Sequence, residues 1–265
     1  MRSLDFWRGR RVFITGASSG IGRALAEHVA GLGACVGLMA RREEKLAELA
    51  AAIEAGGGTA AFAAVDVTDL YQVRAAVRVL EERLGVCDVM IANAGINRYA
   101  SGFDFRAENA NAVFATNVNG VVNAFGAVLP EMVARRDGQI VAIASIAALL
   151  GLPEAGAYSA SKAAVVTMMK SLRVDLHGHG VKVTTICPGF VDTPLVAEHQ
   201  RSILKFLLPP EEAARRIARA IARGRGEYWF PLPTWLMARV ARAMPFRVYR
   251  WICGFLPPQP GGGEE

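Results

Sequence analysis

The chain alternates between short apolar runs and longer segments whose apolar residues recur every three or four positions. Arg11 to Thr15, Ala34 to Ala40, Ala60 to Val65 and Val86 to Ala92 are runs of the first kind and predict strands. Between them, Gly22 to Leu32, Glu43 to Ala55 and Leu70 to Leu84 predict helices. Leu46, Leu49, Ala50 and Ile53 share one helical face, as do Val73, Val77, Leu80 and Leu84. Gly56-Gly57-Gly58 stops the second of these helices. The second half repeats the pattern: helix Ala107 to Val133, strand Gln139 to Ala144, helix Ala155 to Leu176, strand Val181 to Cys187, helix Glu211 to Arg223, and a last strand at Glu227 to Pro231. Repeated β-α units favour a parallel sheet with helices on both faces. No linker or composition break precedes about residue 225. The expected fold is therefore α/β, with a single domain over residues 8–231 and a doubly wound parallel sheet of about seven strands.

Composition narrows this picture. With 265 residues, 52% of them hydrophobic, the chain is too apolar to be disordered and long enough for one large α/β domain. Cys35, Cys87, Cys187 and Cys253 lie far apart and read as reduced thiols of a cytoplasmic protein. His28, His177, His179 and His199 lack zinc-type spacing with Cys or acidic residues, so no metal is expected. Met1 to Arg11 carries four Arg and an Asp and reads as no signal peptide. The uncharged run Asn109 to Pro130 is long enough to suggest a membrane span, but its five Asn argue against one. The net charge of +6 raises the question of an anionic partner. No nucleic-acid-binding motif accompanies it, so nucleic acid is not expected.

The first strand ends in Thr15-Gly16-Ala17-Ser18-Ser19-Gly20-Ile21-Gly22, and a helix follows. Glycines between strand and helix let the backbone turn tightly and approach a pyrophosphate, and the helix N-terminus supplies free N–H groups. The spacing is G-x-x-x-G-x-G rather than G-x-G-x-x-G, and it resembles that of the short-chain dehydrogenase/reductase family. The resemblance covers about residues 10 to 225 and implies a Rossmann-type fold. In an NAD site an acidic residue about 20 positions past the glycines binds the ribose 2′-hydroxyl. Here that region reads Ala40-Arg41-Arg42, and arginine suits a 2′-phosphate, so NADP(H) is expected over NAD(H). Asp66-Val67 resembles the family's adenine-contacting dipeptide, and Asn93-Ala94-Gly95 its cofactor-side turn. Pro188-Gly189-Phe190-Val191-Asp192-Thr193-Pro194 resembles its nicotinamide-side loop, in which Val191 and Thr193 would touch the carboxamide.

Tyr158-Ser159-Ala160-Ser161-Lys162 places Tyr and Lys four residues apart on one helix face, in a chain with only 5 Lys. Ser145 lies 13 residues earlier, at the end of a predicted strand, where ligands of open α/β sheets bind. Asn117, in Thr116-Asn117-Val118-Asn119-Gly120, completes what resembles the family's Asn-Ser-Tyr-Lys set. Carbonyl reduction needs a hydride and a proton. A free Tyr has a pKa near 10, too high for efficient acid–base work, and a nearby Lys cation would lower it. Tyr158 is then the proton donor or acceptor, and Ser145 would orient the substrate oxygen. By the resemblance, Lys162 would also hold the nicotinamide ribose and Asn117 a relay water. The family further implies a homodimer or homotetramer. A sugar-nucleotide epimerase also uses Tyr-x-x-x-Lys, but such chains resemble G-x-x-G-x-x-G and carry a separate substrate domain. A non-catalytic dinucleotide sensor or membrane-tethered binding module is the rival from another class, and the full set of four residues argues against it.

The substrate side is expected to be apolar: a flap over 190–208, with walls from Ile96 to Phe105 and from Ile146 to Glu154, including Leu149, Leu150 and Leu152. That suits a hydrophobic, lipid-like ketone or secondary alcohol. Residues 232–256 form an amphipathic extension that Pro245 splits into two short helices, with Trp235, Tyr249 and Trp251 interspersed with Arg239, Arg242, Arg247 and Arg250. Two placements stay open for it: peripheral contact with a membrane on the cytoplasmic face, or folding back over the pocket or a dimer surface. Residues 257–265 are expected to be disordered.

Overall fold

The apolar runs become seven strands: β1 (Arg11–Thr15), β2 (Cys35–Ala40), β3 (Thr59–Ala64), β4 (Val89–Ala92), β5 (Gly138–Ile143), β6 (Val181–Pro188) and β7 (Glu227–Phe230). The computed structural model describes residues 5–196 and 207–253. All neighbouring strands pair in parallel, in the order β3-β2-β1-β4-β5-β6-β7. The order reverses direction between β1 and β4, which opens a crevice at the carboxyl ends of these strands. The segment expected to be disordered, 257–265, and the middle of the expected flap, 197–206, lie outside the described residues.

Among the described residues, nine α-helices, a π-helical turn and a 3-10 turn surround the sheet: α1 (Gly20–Ala30), α2 (Glu43–Ala55), α3 (Leu70–Leu84), α4 (Ala107–Phe114), the π-helical turn (Ala115–Asn119), α5 (Gly120–Arg135), the 3-10 turn (Ile146–Leu149), α6 (Gly156–Asp175), α7 (Pro210–Ala222), α8 (Leu232–Ala243) and α9 (Phe246–Cys253). The period-2 alternation of β1 sends Val12 and Ile14 to one face and Phe13 to the other. On the first face Leu25 of α1, Leu46 of α2 and Ile217 of α7 close the core. On the second, Leu80 of α3, Phe125 of α5 and Met169 of α6 do so. Asp69 caps α3 by accepting from the Tyr71 and Gln72 N–H groups, so the helix starts where its apolar period starts.

Two segments differ from expectation. β4 begins at Val89 rather than Val86, because Asp88 turns its carboxylate onto the Arg11 N–H and guanidinium. The long helix expected over 107–133 is interrupted by the π-helical turn, which adds one residue to the local ring and reorients Asn117. The whole segment Ala107–Arg135 is long and apolar enough by composition to cross a bilayer. In the fold it is a core helix: Val121, Ala124, Phe125 and Val128 are buried, and Asn123 donates to the Val67 carbonyl. The C-terminal extension is two helices separated at Pro245, as expected, and it folds back toward the crevice.

Candidate active site

The turn after β1 requires glycine at two points. Gly16 has φ +66°, and a Cβ there would lie 2.7 Å from Ala94 Cα. A Cβ on Gly22 would run into the Gly16 carbonyl and come within 2.5 Å of Asn93 Nδ2. Gly22 thus lies behind the crevice, where it lets α1 pack close to the turn. The third glycine, Gly20, has φ +55° and opens α1, and a Cβ on it would meet the Thr193 methyl at 3.1 Å. The turn is tied to the end of β4. Asn93 Nδ2 donates to the Thr15 and Gly16 carbonyls at 2.9 and 3.2 Å, and Thr15 Oγ1 accepts from the Asn93 and Ala94 N–H groups. Gly16, Ser18, Ser19, Gly20 and Ile21 border the crevice, as do Asn93, Ala94 and Gly95.

Arg42 stands at the start of α2 and reaches back to the glycine turn. Its Nη2 donates to Ser18 Oγ at 2.8 Å and to Ser19 Oγ at 2.9 Å. Arg41 and Arg42 are exposed, and both line the same crevice. This cluster of two guanidinium groups and two hydroxyls is a donor-rich place with no carboxylate among its hydrogen-bond partners, the chemistry a phosphate needs. Asp66 and Val67 follow β3 at the crevice wall, where Asp66 Oδ1 accepts from Thr68 N and Oγ1.

Across β4 and β5 the expected catalytic side chains converge. Ser145 lies two residues past the end of β5, and its Oγ caps the 3-10 turn Ile146–Leu149 by accepting from the Ala147 N–H at 3.1 Å. Tyr158 and Lys162 project from the first turns of α6 into the crevice. Lys162 Nζ donates to the Ile143 carbonyl at 2.9 Å and lies 5.6 Å from the centre of the Tyr158 ring. Burial pushes the Tyr158 hydroxyl up to about 12, opposed by its hydrogen bond with Ser145, and pushes Lys162 down to about 8. Where a lowering by Lys162 was expected, the largest influence on the phenol is burial, and Lys162 is not among the groups that shift it. Asn117 does not border the crevice. It is fully buried behind it, where Oδ1 accepts from the Ile96 N–H at 2.8 Å and Nδ2 donates to the Ile96 carbonyl and to Ser161 Oγ, both at 3.0 Å. Ser161 donates in turn to the Tyr158 carbonyl, so Asn117 links the chain after β4 to the catalytic turn of α6.

Crevice and pocket form one cavity of about 1090 Å³. Pro188, Gly189, Val191 and Thr193 border it after β6, in the place expected of a nicotinamide-side loop. The expected substrate walls are present only in part. Ile96, Asn97 and Tyr99 line the cavity, whereas Phe103 and Phe105 are exposed. Leu150 and Leu152 line it, but Leu149, the last residue of the 3-10 turn, does not. Phe190, Leu195 and Val196 of the expected flap also line it, and a further wall comes from the C-terminal extension. Thr234, Ala238 and Ala241, spaced i, i+4, i+7, turn one face of α8 into the cavity, joined by Met237 and by Cys253 of α9. Tyr249 Oη donates to the Gly151 carbonyl at 2.6 Å and anchors α9 to the opposite rim. Sequence reasoning singled out the bulky aromatic residues of this segment and passed over its small ones. The spacing of Thr234, Ala238 and Ala241 was the only signal available, and small residues carry little of it.

A family model described as short chain dehydrogenase matches residues 10–203. An uncharacterized oxidoreductase of Myxococcus xanthus is 38% identical over 236 residues, covering 89% of this chain and 93% of that protein. The ketoacyl reductase HetN of a Nostoc species is 32% identical over 256 residues, 92% of this chain and 89% of its own. Among solved structures, a short chain dehydrogenase/reductase from Burkholderia phymatum in complex with NAD superposes with a TM-score of 0.83 at 28% identity, covering 97% of this chain and 99% of that one.

Proposed function

The chain belongs to the short-chain dehydrogenase family, and from that premise we propose that it is an NADP(H)-dependent oxidoreductase interconverting apolar ketones and secondary alcohols. Oxidoreductase chemistry on a small molecule with a dinucleotide is common to the family; the cofactor preference and the substrate class are our reading. The observation that carries it is the single cavity. One end gathers Arg41, Arg42, Ser18 and Ser19, the middle holds Ser145, Tyr158 and Lys162, and the far end is apolar.

The fit to a dinucleotide rests on the glycine turn: Gly16 and Gly20 border the crevice, and Gly22 lets α1 pack close behind it, so that the helix N-terminus opens onto the crevice. Ser18, Ser19, Arg41 and Arg42 would hold the 2′-phosphate end, Ile21 the pyrophosphate side, Asp66 and Val67 the adenine, and Asn93 to Gly95 the ribose side. Pro188, Gly189, Val191 and Thr193 would border the nicotinamide. The Burkholderia structure holds NAD; the Arg42 contacts to Ser18 and Ser19 favour the phosphorylated form here. When bound, the nicotinamide exchanges a hydride with the substrate carbon. The chain's own groups handle the proton. A phenol held near 12 is fully protonated at neutral pH, ready to donate to a developing alkoxide. Ser145 orients the oxygen that receives it, and Lys162, near 8, is largely charged and steadies the phenolate left behind. Asn117 acts one step back as a positioning residue. By family resemblance the active form is a dimer or tetramer. The name of the Nostoc relative, a ketoacyl reductase, is consistent with a carbonyl on an apolar chain.

The test is a ketone and alcohol panel weighted toward long apolar chains, followed by NADPH absorbance. Tyr158→Phe is expected to reduce turnover by roughly 10²–10⁴-fold and leave NADPH binding, measured by fluorescence, within a few fold. Turnover of no ketone or alcohol by the wild type would refute the enzymatic assignment.

A further inference from the structure

We propose that the outer face of α8 and α9 docks on a membrane surface carrying anionic lipid. α8 is built opposite to an ordinary surface helix. Its small residues Thr234, Ala238 and Ala241 face the protein, while Leu232, Leu236 and Val240, at i, i+4 and i+8, face out on the other side. α9 continues the outer surface: Phe246 is 75% exposed and Trp251 67%. Large side chains are thus left in water along two consecutive helices, while the cavity side of α8 is mainly small: Met237 is its one large residue and is itself 71% exposed.

Charge selects the occupant. Every charged residue between Leu232 and Cys253 is an arginine: Arg239, Arg242, Arg247 and Arg250, with no Asp or Glu. All four are exposed. A twofold pairing of this face with a second copy would bring together four arginines from each without an acid to meet them. A sheet of anionic headgroups meets them all, and it accepts the aromatic and aliphatic side chains at the acyl boundary. Arg239 already lies 5.2 Å over the Trp235 ring, a pairing suited to headgroup depth. The lengths of α8 and α9, 12 and 8 residues, fit helices lying in the interface plane rather than across a bilayer. Because Met237 and Cys253 border both this surface and the cavity, docking would bring the cavity rim to the lipid; that corollary rests on the function proposed above, whereas the docking does not.

The experiment is sedimentation of the full chain with vesicles of phosphatidylcholine, alone or mixed with phosphatidylglycerol, which needs no turnover. The wild type is expected to pellet with the anionic vesicles, to stay in solution with the neutral ones, and to be released by high salt. Arg247→Ala with Arg250→Ala should weaken binding roughly 30-fold, at about a fivefold loss per arginine. Phe246→Glu with Trp251→Glu should weaken it at least as much. Both pairs are exposed and line no part of the cavity, so thermal unfolding should match the wild type. Failure to pellet with anionic vesicles, or equal pelleting with neutral ones, would overturn the proposal. So would a wild-type dimer that the Phe246/Trp251 pair converts to monomer with vesicle binding unchanged, since the face would then belong to a second copy.

Discussion

At one end of the cavity the important surfaces are backbone: the turn at Gly16 to Gly22, held against Asn93 and Ala94 with no room for a Cβ. At the other end they are mainly small side chains on α8, a helix that keeps Leu232, Leu236 and Val240 outside. Where a ligand is gripped by main chain, the residue types are nearly forced, because only glycine fits and only hydrogen-bonding side chains can brace the turn. Where a pocket is shaped by leaving space, many residues would serve, and few of them announce their role.

Three experiments press on that contrast, in decreasing order of effect. The largest concerns the middle of the cavity. Lys162 is depressed to about 8 by burial, so the unfolded chain holds the Lys proton more tightly than the native one. The lysine's share of the stability should therefore grow by about 3 kcal/mol between about pH 8 and 10.5. The buried thiols of Cys87 and Cys187, raised by burial, oppose it above about 9, and Tyr158, raised to about 12, does so above 10. Urea unfolding of the cofactor-free protein should show the wild type gaining stability relative to Lys162→Met across this range. A constant difference between the two would mean that Lys162 is better solvated than its contacts imply. The next addresses the cofactor end. Arg42→Ala should raise the Kd for NADPH by about 2 kcal/mol, near 30-fold, from lost charge-assisted hydrogen bonds. NADH should change little, and an equal loss for both would remove the 2′-phosphate assignment. The smallest addresses the substrate end. Ala238→Leu projects a larger side chain from α8 into the cavity and should raise KM about tenfold for bulky ketones, with short ones little affected. Equal effects on both would show that α8 does not gauge substrate size.

The same contrast explains what could be read from residues alone. The sheet was legible because each strand is a short, continuous apolar run and each helix has a clear period. Leu70–Leu84 matched to the residue because Asp69 supplies a cap. The break in the long helix was not legible: nothing in Ala115 to Asn119 marks a π-helical turn, within which the Asn117 amide meets the distant backbone of Ile96. Tyr158 and Lys162 announced themselves by spacing, but the direction of the Tyr158 shift depended on burial that spacing does not carry. In the substrate wall, the expected stretch Ile96 to Phe105 reaches too far: Phe103 and Phe105 lie in solvent. The inward face of α8 was hidden because its residues are mostly threonine and alanine.

One short contact joins the two ends. The Gly189 N–H donates to the Phe230 carbonyl at 2.7 Å, and Pro231, which follows, leads straight into α8; Thr234 stands where a Cβ on Gly189 would be only 3.4 Å away. The loop carrying Val191 and Thr193 and the helix that roofs the pocket therefore hang from a common pivot at the edge of the sheet. Neither can be displaced without loading the other, so the roof behaves less like a free door than like one arm of a lever whose second arm rests beside the glycine turn.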